Sequence, residues 1–198
     1  MKDLLIPLRD IARELSRRFS TMTLEELDIL ENILIPMKVK KGQKILSIGE
    51  VSSHIYYLHS GLIRQYYYKN DKEMTSHLGV DGSIFMSVES LFRETPGAEV
   101  IEALEPCYIY ALPKRRLENV ALHNQNIQIL YRKILEEALI ESQIHADLVR
   151  FETAQDRYRR ICKMMPKVVL RAPLVYIASY LQMTPETLSR VRSSTLVD

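Results

Sequence analysis

Cysteine is scarce in this sequence: only Cys107 and Cys162 occur among 198 residues, and they lie far apart. Such a pair fits neither a disulfide framework nor a Cys-x-x-Cys metal site. No apolar run is long enough to span a bilayer, and Met1–Ser20 carries charges throughout, unlike the apolar core of a signal peptide. These absences predict a cytoplasmic protein with two reduced thiols and no membrane partner.

Catalytic patterns are equally scarce. The sequence contains no phosphate-binding glycine loop, no nucleophile–base pair and no metal-ligand spacing. Its five histidines are scattered along the chain: His54, His59, His77, His123 and His145. We therefore expect no catalytic residues, no metal and no resident cofactor, and we do not expect an enzyme.

The composition itself is that of a globular protein with one or two domains, at 46% hydrophobic and 26% charged residues. The net charge is only +2, but it is unevenly distributed. Residues 150–198 hold nine basic and four acidic residues, whereas the other 149 residues hold 18 basic and 21 acidic ones. A basic C-terminal part suggests a polyanionic partner, although a solvated charged surface would give the same distribution.

Hydrophobic periodicity divides the chain into helical and β segments. Residues 1–35 predict helix, and Thr23 with Glu26 forms a capping-box pattern. Residues 37–112 contain short runs of Val, Ile and Tyr separated by turn residues, which predicts a compact β domain. Residues 114–150 contain neither Gly nor Pro and predict one long helix, whose apolar stripe would pack on its own domain and on a second copy.

After an expected hinge at Phe151–Thr153, Thr153 with Asp156 at the third helical position predicts the start of a helix that runs to Pro166, and two further short helical patterns follow it. Within PLVYIASYLQ, apolar residues recur at helical spacing over residues 174–181, and the small Ala178 suits a close helix–helix approach. Thr184 can cap the next helix, PETLSRVR, and Pro185 suits its first position. Two short helices joined by a tight turn are typical of the helix-turn-helix motif.

The second of these helices has a polar face suited to DNA. Glu186, Ser189 and Arg190 share this face at i, i+3 and i+4, while Leu188 and Val191 point to the partner helix. Arg can bond guanine bidentately, a carboxylate can accept from cytosine, and basic side chains can contact phosphates. The candidate DNA-binding residues are Thr184, Glu186, Thr187, Ser189, Arg190 and Arg192, with Arg159 and Arg160 in the preceding basic helix. The alternative is a ligand-sensing protein whose helical C-terminal domain docks a protein partner.

In this order, the segments resemble the CRP/FNR family of bacterial transcription regulators. The resemblance covers nearly everything from Met37 to Ser194, and its motifs are KKGQKILSIGEVSSHIYYLHSGLIRQYY, the long helix 114–150 and PETLSRVR. It implies an α+β fold with an N-terminal β jelly roll and flanking helices, a long dimerisation helix, and a C-terminal helix-turn-helix domain of winged-helix-like type. The implied domains are 1–150, a cyclic-nucleotide-binding-like sensor with the dimerisation helix, and 151–198, which would bind DNA.

The same resemblance implies a function and partners. It implies a homodimeric, sequence-specific transcriptional regulator that binds double-stranded operator DNA, contacts RNA polymerase and responds to a small-molecule effector. The pattern Glu–x–x–Ser–Arg at Glu186, Ser189 and Arg190 is nearer to the FNR branch than to the catabolite-activator branch. The N-terminal region nevertheless lacks the cysteines that an iron–sulfur cluster of the FNR type requires.

Two departures from the family pattern lead to further expectations. Gln182 stands where family members usually carry Gly in the turn, and a left-handed conformation there would cost about 1–2 kcal/mol. In the β part, Met86–Ser87 stands where the family's ribose-binding Gly–Glu pair is expected, and Gly97–Ala98 stands at its phosphate-binding Arg pair. Around them are Glu89, Glu94 and Glu99, with Arg93 as the nearby cation. The candidate ligand pocket is therefore Met86, Ser87, Arg93, Gly97 and Ala98, and we expect that neither cAMP nor cGMP regulates the protein.

Overall fold

The computed structural model describes residues 6–195, so the outermost parts of the expected domains, residues 1–5 and 196–198, lie outside the described residues. The first elements of the described chain are two helices, α1 (Leu8–Phe19) and α2 (Leu24–Ile33). The predicted capping box at α2 is confirmed. Glu26 N–H donates to Thr23 Oγ1 at 3.2 Å, and Thr23 N–H donates to the Glu26 carboxylate at 2.8 Å.

Two antiparallel four-stranded sheets follow and form the predicted β domain, here called the β-roll. Its strands are β1 (Ile35–Val39), β2 (Lys44–Leu46), β3 (His54–Ser60), β4 (Leu62–Lys69), β5 (Lys72–Val80), β6 (Ile84–Phe85), β7 (Glu99–Ala103) and β8 (Cys107–Pro113). One sheet has the order β1-β8-β3-β6 and the other β2-β7-β4-β5. A short helix, α3 (Val88–Arg93), connects β6 to β7. Each sheet thus pairs strands that are distant in the sequence. Apolar residues of both sheets form the core of the β-roll.

Turn residues fix the strand connections of the β-roll. Asn70 and Asp71 both have positive φ, at 50° and 59°, in the two-residue turn that joins β4 to β5. Gly61 has φ +125°, and a Cβ atom there would lie 2.5 Å from Cys107 Sγ and 2.9 Å from Cys107 Cα. Only glycine therefore fits the close approach between the β3–β4 turn and β8.

The long helix expected over 114–150 is interrupted. The chain forms α4 (Lys114–Ala121) and α5 (Gln125–Phe151), because Asn124 is extended and its Nδ2 donates to Val120 O at 2.7 Å. A short amide side chain that bonds the backbone in this way competes with a continuous helix. The first half of α5 buries Ile127, Leu130 and Ile134 in the same core as α1, so this part of its apolar stripe packs on its own domain.

Four helices complete the described chain and are here called the helical unit: α6 (Ala154–Met164), α7 (Pro166–Arg171), α8 (Leu174–Tyr180) and α9 (Pro185–Thr195). The Thr153 hydroxyl caps α6, as the sequence predicted, by accepting from Asp156 N–H at 3.2 Å. Residues 151–195 contain no strand, so the winged variant of the expected fold is not seen in this range. The core of the helical unit includes Leu62 and Leu78 of the β-roll, which joins the two parts through one apolar cluster.

Candidate nucleic-acid interface and β-roll site

Helix α9 begins and is oriented as its sequence predicts. Thr184 Oγ1 accepts from Thr187 N–H at 3.2 Å, and Pro185 occupies the first helical position. Leu188 is fully buried against the helical unit, whereas Glu186 is exposed. Five of the candidate residues therefore lie on one surface, here called the recognition face: Thr184, Glu186, Thr187, Ser189 and Arg190.

The recognition face carries a small network within α9. Arg190 Nη2 donates to Thr187 Oγ1 at 3.3 Å, which directs the guanidinium along the helix. The pKa of Glu186 is lowered by its own backbone N–H, by the Thr184 hydroxyl and by the positive charge of Arg190. The exposed face thus presents one ionised carboxylate and one guanidinium, which are the groups that read cytosine and guanine edges.

The other candidate DNA-binding residues lie elsewhere. Arg192 is half-buried and hydrogen bonds Tyr158 of α6, where burial raises the pKa of the phenol and the arginine acts against this rise. Arg160 forms an ion pair with Glu152. Arg159 and Arg160 both line an open depression at the start of α6, together with Phe151, Asp156 and Lys163. This depression contains no residue of α9, although α6 packs directly against α9.

Inside the β-roll, a carboxylate is held by donors of its own chain. The Glu99 carboxylate accepts from Gln65 Nε2 at 2.8 Å, from Ser87 Oγ at 2.7 Å and from Ser76 Oγ at 3.3 Å. Gln65 and Ser87 are 5% and 2% exposed, so these donors have little contact with solvent. We call these four residues the Glu99 cluster. Its hydroxyl and amide donors already pair with an anion, which is supplied by the chain itself.

The candidate ligand pocket is brought together only in part. Ser87 belongs to the Glu99 cluster, and Met86 is buried beside it, where its carbonyl accepts from Gln65 Nε2 at 3.1 Å. Arg93, in contrast, has a 73% exposed side chain and pairs with Glu89, 3.5 Å away.

The segment expected to bind the phosphate is closely packed. Gly97 is fixed by its backbone, because its N–H donates to Glu50 O at 3.0 Å and its carbonyl accepts from Gly49 N–H at 2.9 Å. A Cβ atom at position 97 would lie 3.1 Å from Ser90 Cβ, and Ala98 is exposed. Sequence reasoning missed Gln65 and Ser76; the signal was that Gln65 shares a strand face with the buried Ile63, two residues before it.

Helix α8 contacts the edge strand of the β-roll. Thr75 N–H of β5 donates to Ser179 Oγ at 2.9 Å, and Ser179 Oγ in turn donates to Glu73 O at 3.3 Å. The Arg64 guanidinium lies 3.8 Å from the centre of the Tyr176 ring, which is a cation–π contact. Ser179 therefore bonds the Thr75 N–H and the Glu73 carbonyl of the edge strand β5, groups that would otherwise be open to pairing with another strand.

A second contact between the two parts is ionic. Arg171 of α7 donates to Asp81 at 2.7 Å and to Glu105 at 2.5 Å. Burial opposes ionisation of Asp81, but the Gly61 N–H and Arg171 together hold its pKa below the usual range. Nothing in the local pattern of α7, a helix that sequence reasoning had not predicted, indicated either contact.

The part of the chain that the structure describes has neither a membrane-spanning helix nor a metal-binding cluster. Between residues 6 and 195, no helix is both long and apolar enough to cross a membrane. Over the same range, no group of three or more His, Cys, Asp or Glu side chains is arranged to hold a metal ion.

The β-roll is similar to a known domain family. Residues 36–124 match the cyclic nucleotide-binding domain family. A comparison with curated protein sequences found no match. Three solved structures are similar over most of the chain, at identities that show the fold alone.

The structure of FixK2 from Bradyrhizobium japonicum has a TM-score of 0.68 at 19% identity, covering 83% of this chain and 85% of that one. The c-di-GMP responsive global regulator CLP from Xanthomonas campestris has a TM-score of 0.67 at 15% identity, covering 89% and 93%. A transcriptional regulator of the CRP/FNR family from Eubacterium rectale has a TM-score of 0.64 at 14% identity, covering 89% and 84%. The chain is therefore similar to the cyclic nucleotide-binding domain family over residues 36–124 and has, as a whole, the fold seen in CRP/FNR-type transcriptional regulators.

Proposed function

We propose that the protein is a sequence-specific, DNA-binding transcriptional regulator of the CRP/FNR type that acts as a homodimer and is not an enzyme. The observation that carries the proposal is the recognition face, where Glu186, Ser189 and Arg190 are exposed on a helix held by the buried Leu188. In this role residues 151–198 bind operator DNA, and residues 1–150 supply the sensor-like β-roll and the dimerisation helix. RNA polymerase and a small-molecule effector other than cAMP or cGMP complete the proposed set of partners.

The second half of α5 supports dimerisation. Ile127, Leu130 and Ile134 are used by the chain's own core, but Leu139 and Ile140 farther along the helix are 71% and 56% exposed. Adjacent exposed aliphatic side chains on a long helix are favourable contacts for a second copy of that helix. A two-fold dimer would place two recognition faces on half-sites roughly 34 Å apart, which requires a near-palindromic operator.

The role of Arg190 can be tested against that of a phosphate-contacting residue. The operator is first selected from a random DNA pool, and affinities are then measured by fluorescence anisotropy. Arg190→Ala should weaken binding to this operator by about 1–3 kcal/mol and relax the choice at one base pair. Arg159→Ala should weaken binding to all sequences. It should also reduce the slope of the logarithm of the binding constant against the logarithm of the salt concentration by about one. Unchanged sequence preference in Arg190→Ala would show that α9 does not read the bases.

Dimerisation has its own test. Sedimentation of the wild-type protein at micromolar concentration should give a dimer, and Leu139→Asp should shift it toward the monomer because a charge on the exposed stripe opposes close helix contact. Lys133→Asp, at an exposed position of the same helix, is the control for a change of charge alone. A wild-type monomer that stays monomeric on DNA contradicts the dimer. Absence of binding to any genomic fragment would instead favour a protein partner for the helical unit.

A further inference from the structure

Arg157 lies where three chain segments meet. Its Nε–H donates to Glu152 O at 3.0 Å in the linker between α5 and α6, and Nη2 donates to Val149 O at 2.9 Å in the last turn of α5. Nη1 donates to Leu181 O at 2.9 Å, at the end of α8. Three N–H groups of one planar guanidinium thus bond three backbone carbonyls, two at the junction of α5 with α6 and one at the end of α8. We call this arrangement the Arg157 joint.

The physical reason for this joint is the shortage of partners at helix ends. The last four carbonyls of a helix have no intrahelical donor and carry the negative end of the helix dipole. Val149 O is one of these carbonyls in α5, and Leu181 O belongs to the residue that ends α8. A guanidinium offers a fixed, planar set of donors with a positive charge, so one side chain can satisfy several such carbonyls.

A second donor acts at the same turn. His145 of α5 lies 2.9 Å from Tyr180 O through Nε2, and its ring stacks on the Tyr180 ring with centroids 4.2 Å apart. The carbonyl can only accept, so Nε2 carries the proton in this contact. Consecutive carbonyls at the end of α8, those of Tyr180 and Leu181, are therefore both bonded by side chains from α5 and α6.

The turn held in this way leads directly into α9. Met183 N–H donates to Ala178 O at 2.9 Å and Gln182 N–H to Ser179 O at 3.1 Å, with Gln182 left-handed at φ +51°. This is a Schellman motif, which leaves little freedom between α8 and α9. Any displacement of Leu181 is therefore passed on to the recognition face as a rotation or shift of α9 relative to α5.

We infer that Arg157 is a positioning residue that fixes the recognition face relative to the dimerisation helix and so sets the half-site spacing that the dimer accepts. This inference rests on the proposed function. The proposed role of Arg157 differs from the phosphate-contacting role proposed for Arg159, because the Arg157 guanidinium bonds the protein backbone. Loss of Arg157 should leave base reading intact and loosen the distance and angle between the two recognition faces.

The test uses the full-length protein and a set of DNA duplexes. Each duplex carries two identical half-sites at the selected spacing or at that spacing changed by one or two base pairs, and one further duplex carries a single half-site. Wild-type protein should prefer one spacing over a two-base-pair change by at least about tenfold, since such a change rotates one half-site around the duplex. Arg157→Gln should reduce this preference to less than about threefold while single-half-site affinity stays within about twofold.

Two further variants make the result specific. Arg159→Gln makes the same change of charge on the same helix, and it should weaken all spacings by the same factor. Arg157→Lys keeps the charge but lacks the planar fork, so it should lose spacing preference almost as much as Arg157→Gln. If Arg157→Gln fails to fold by circular dichroism, Arg157→Lys carries the same comparison. A wild-type spacing preference in the folded Arg157 variant overturns the inference.

Amide hydrogen exchange separates this inference from the proposed function. Arg157→Gln should speed exchange in residues 149–153 and 181–184 together by at least about tenfold, and leave β3 and β8 unchanged. A wild-type protein that binds no DNA contradicts the proposed function and, with it, the spacing role. If exchange stays at the wild-type rate in either segment, the Arg157 joint is contradicted, whether or not the protein binds DNA.

Discussion

The Glu99 cluster and the recognition face differ in what their charged side chains bond. Within the β-roll, Glu99 accepts from three side chains of its own domain, two of which are almost fully buried. On α9, Glu186 and Arg190 are exposed and interact only with groups of their own helix or its cap in the described contacts. Buried donors need an acceptor, so the Glu99 carboxylate belongs to the fold, whereas the exposed Glu186 carboxylate is available to a partner.

Removing the half-buried Glu99 carboxylate should have the largest effect. Glu99→Ala leaves the buried Ser87 hydroxyl without its acceptor and leaves Gln65 Nε2 with Met86 O alone, so the free energy of unfolding should fall by about 2–3 kcal/mol in urea denaturation. Glu99→Gln, which keeps an acceptor oxygen, should lose less. Glu186→Ala is the matched substitution on the recognition face, and it should leave the unfolding midpoint unchanged. Equal stability of Glu99→Ala and wild type would remove the contrast between the two sites.

A histidine of the β-roll should make the free energy of unfolding depend on pH. His77 of β5 has a buried Nε2 with no hydrogen-bond partner among the described residues, and burial, followed by the nearby His145, lowers its pKa to about 4. The neutral form is favoured in the folded state, so its contribution is complete above pH 6.5 and is lost as the pH falls from 6.5 through 4. The loss should be on the order of 2 kcal/mol.

Urea denaturation at several pH values measures this loss. His77→Gln should flatten the stability profile between pH 6.5 and 4, and His123→Gln, at an exposed position, is the control. A wild-type profile that stays flat over this range contradicts a buried, neutral His77.

Substitutions at left-handed residues of the helical unit and the β-roll should have smaller effects on stability. Gln182 is left-handed, as expected if it replaces a glycine, and Gln182→Gly should stabilise the protein by about 1 kcal/mol. In the β-roll, Gly49 has φ +83° with open space around it, so Gly49→Ala should destabilise by a similar amount, about 1 kcal/mol. Thermal midpoints should move in opposite directions by roughly 2–4 °C. Midpoints that move in the same direction would contradict this assignment of strain.

The smallest effect should be that of cyclic nucleotides. Titration calorimetry with cAMP or cGMP should give no binding heat, because the Glu99 carboxylate already occupies the donors and would repel a phosphate. Gly97→Arg should not restore binding, since the Cβ atom at position 97 would press on Ser90 and Glu99 would remain. Micromolar binding by the wild-type protein would show that the Glu99 cluster opens for a ligand.

Local chemistry made several features predictable. Thr23, Thr153 and Thr184 each cap the helix that their neighbours indicated, because a cap depends on residues within one turn. The β domain and the exposed row Glu186, Ser189 and Arg190 followed from periodicity for the same reason. The interruption at Asn124 was not anticipated, since the choice between a continuous helix and an amide–backbone bond depends on how α4 and α5 pack.

The amino-acid sequence by itself determined the order of the segments, their helix starts, the β-roll and the polar face of α9, all of which depend on neighbours in sequence. Only the tertiary structure decided what the polar side chains bond. It paired Glu99 with donors from three other segments, turned Arg93 to solvent and directed Arg157 and Arg171 at distant carbonyls and carboxylates. Such partners lie many residues away, and a hydrogen bond depends on distances of a few tenths of an ångström that only packing sets.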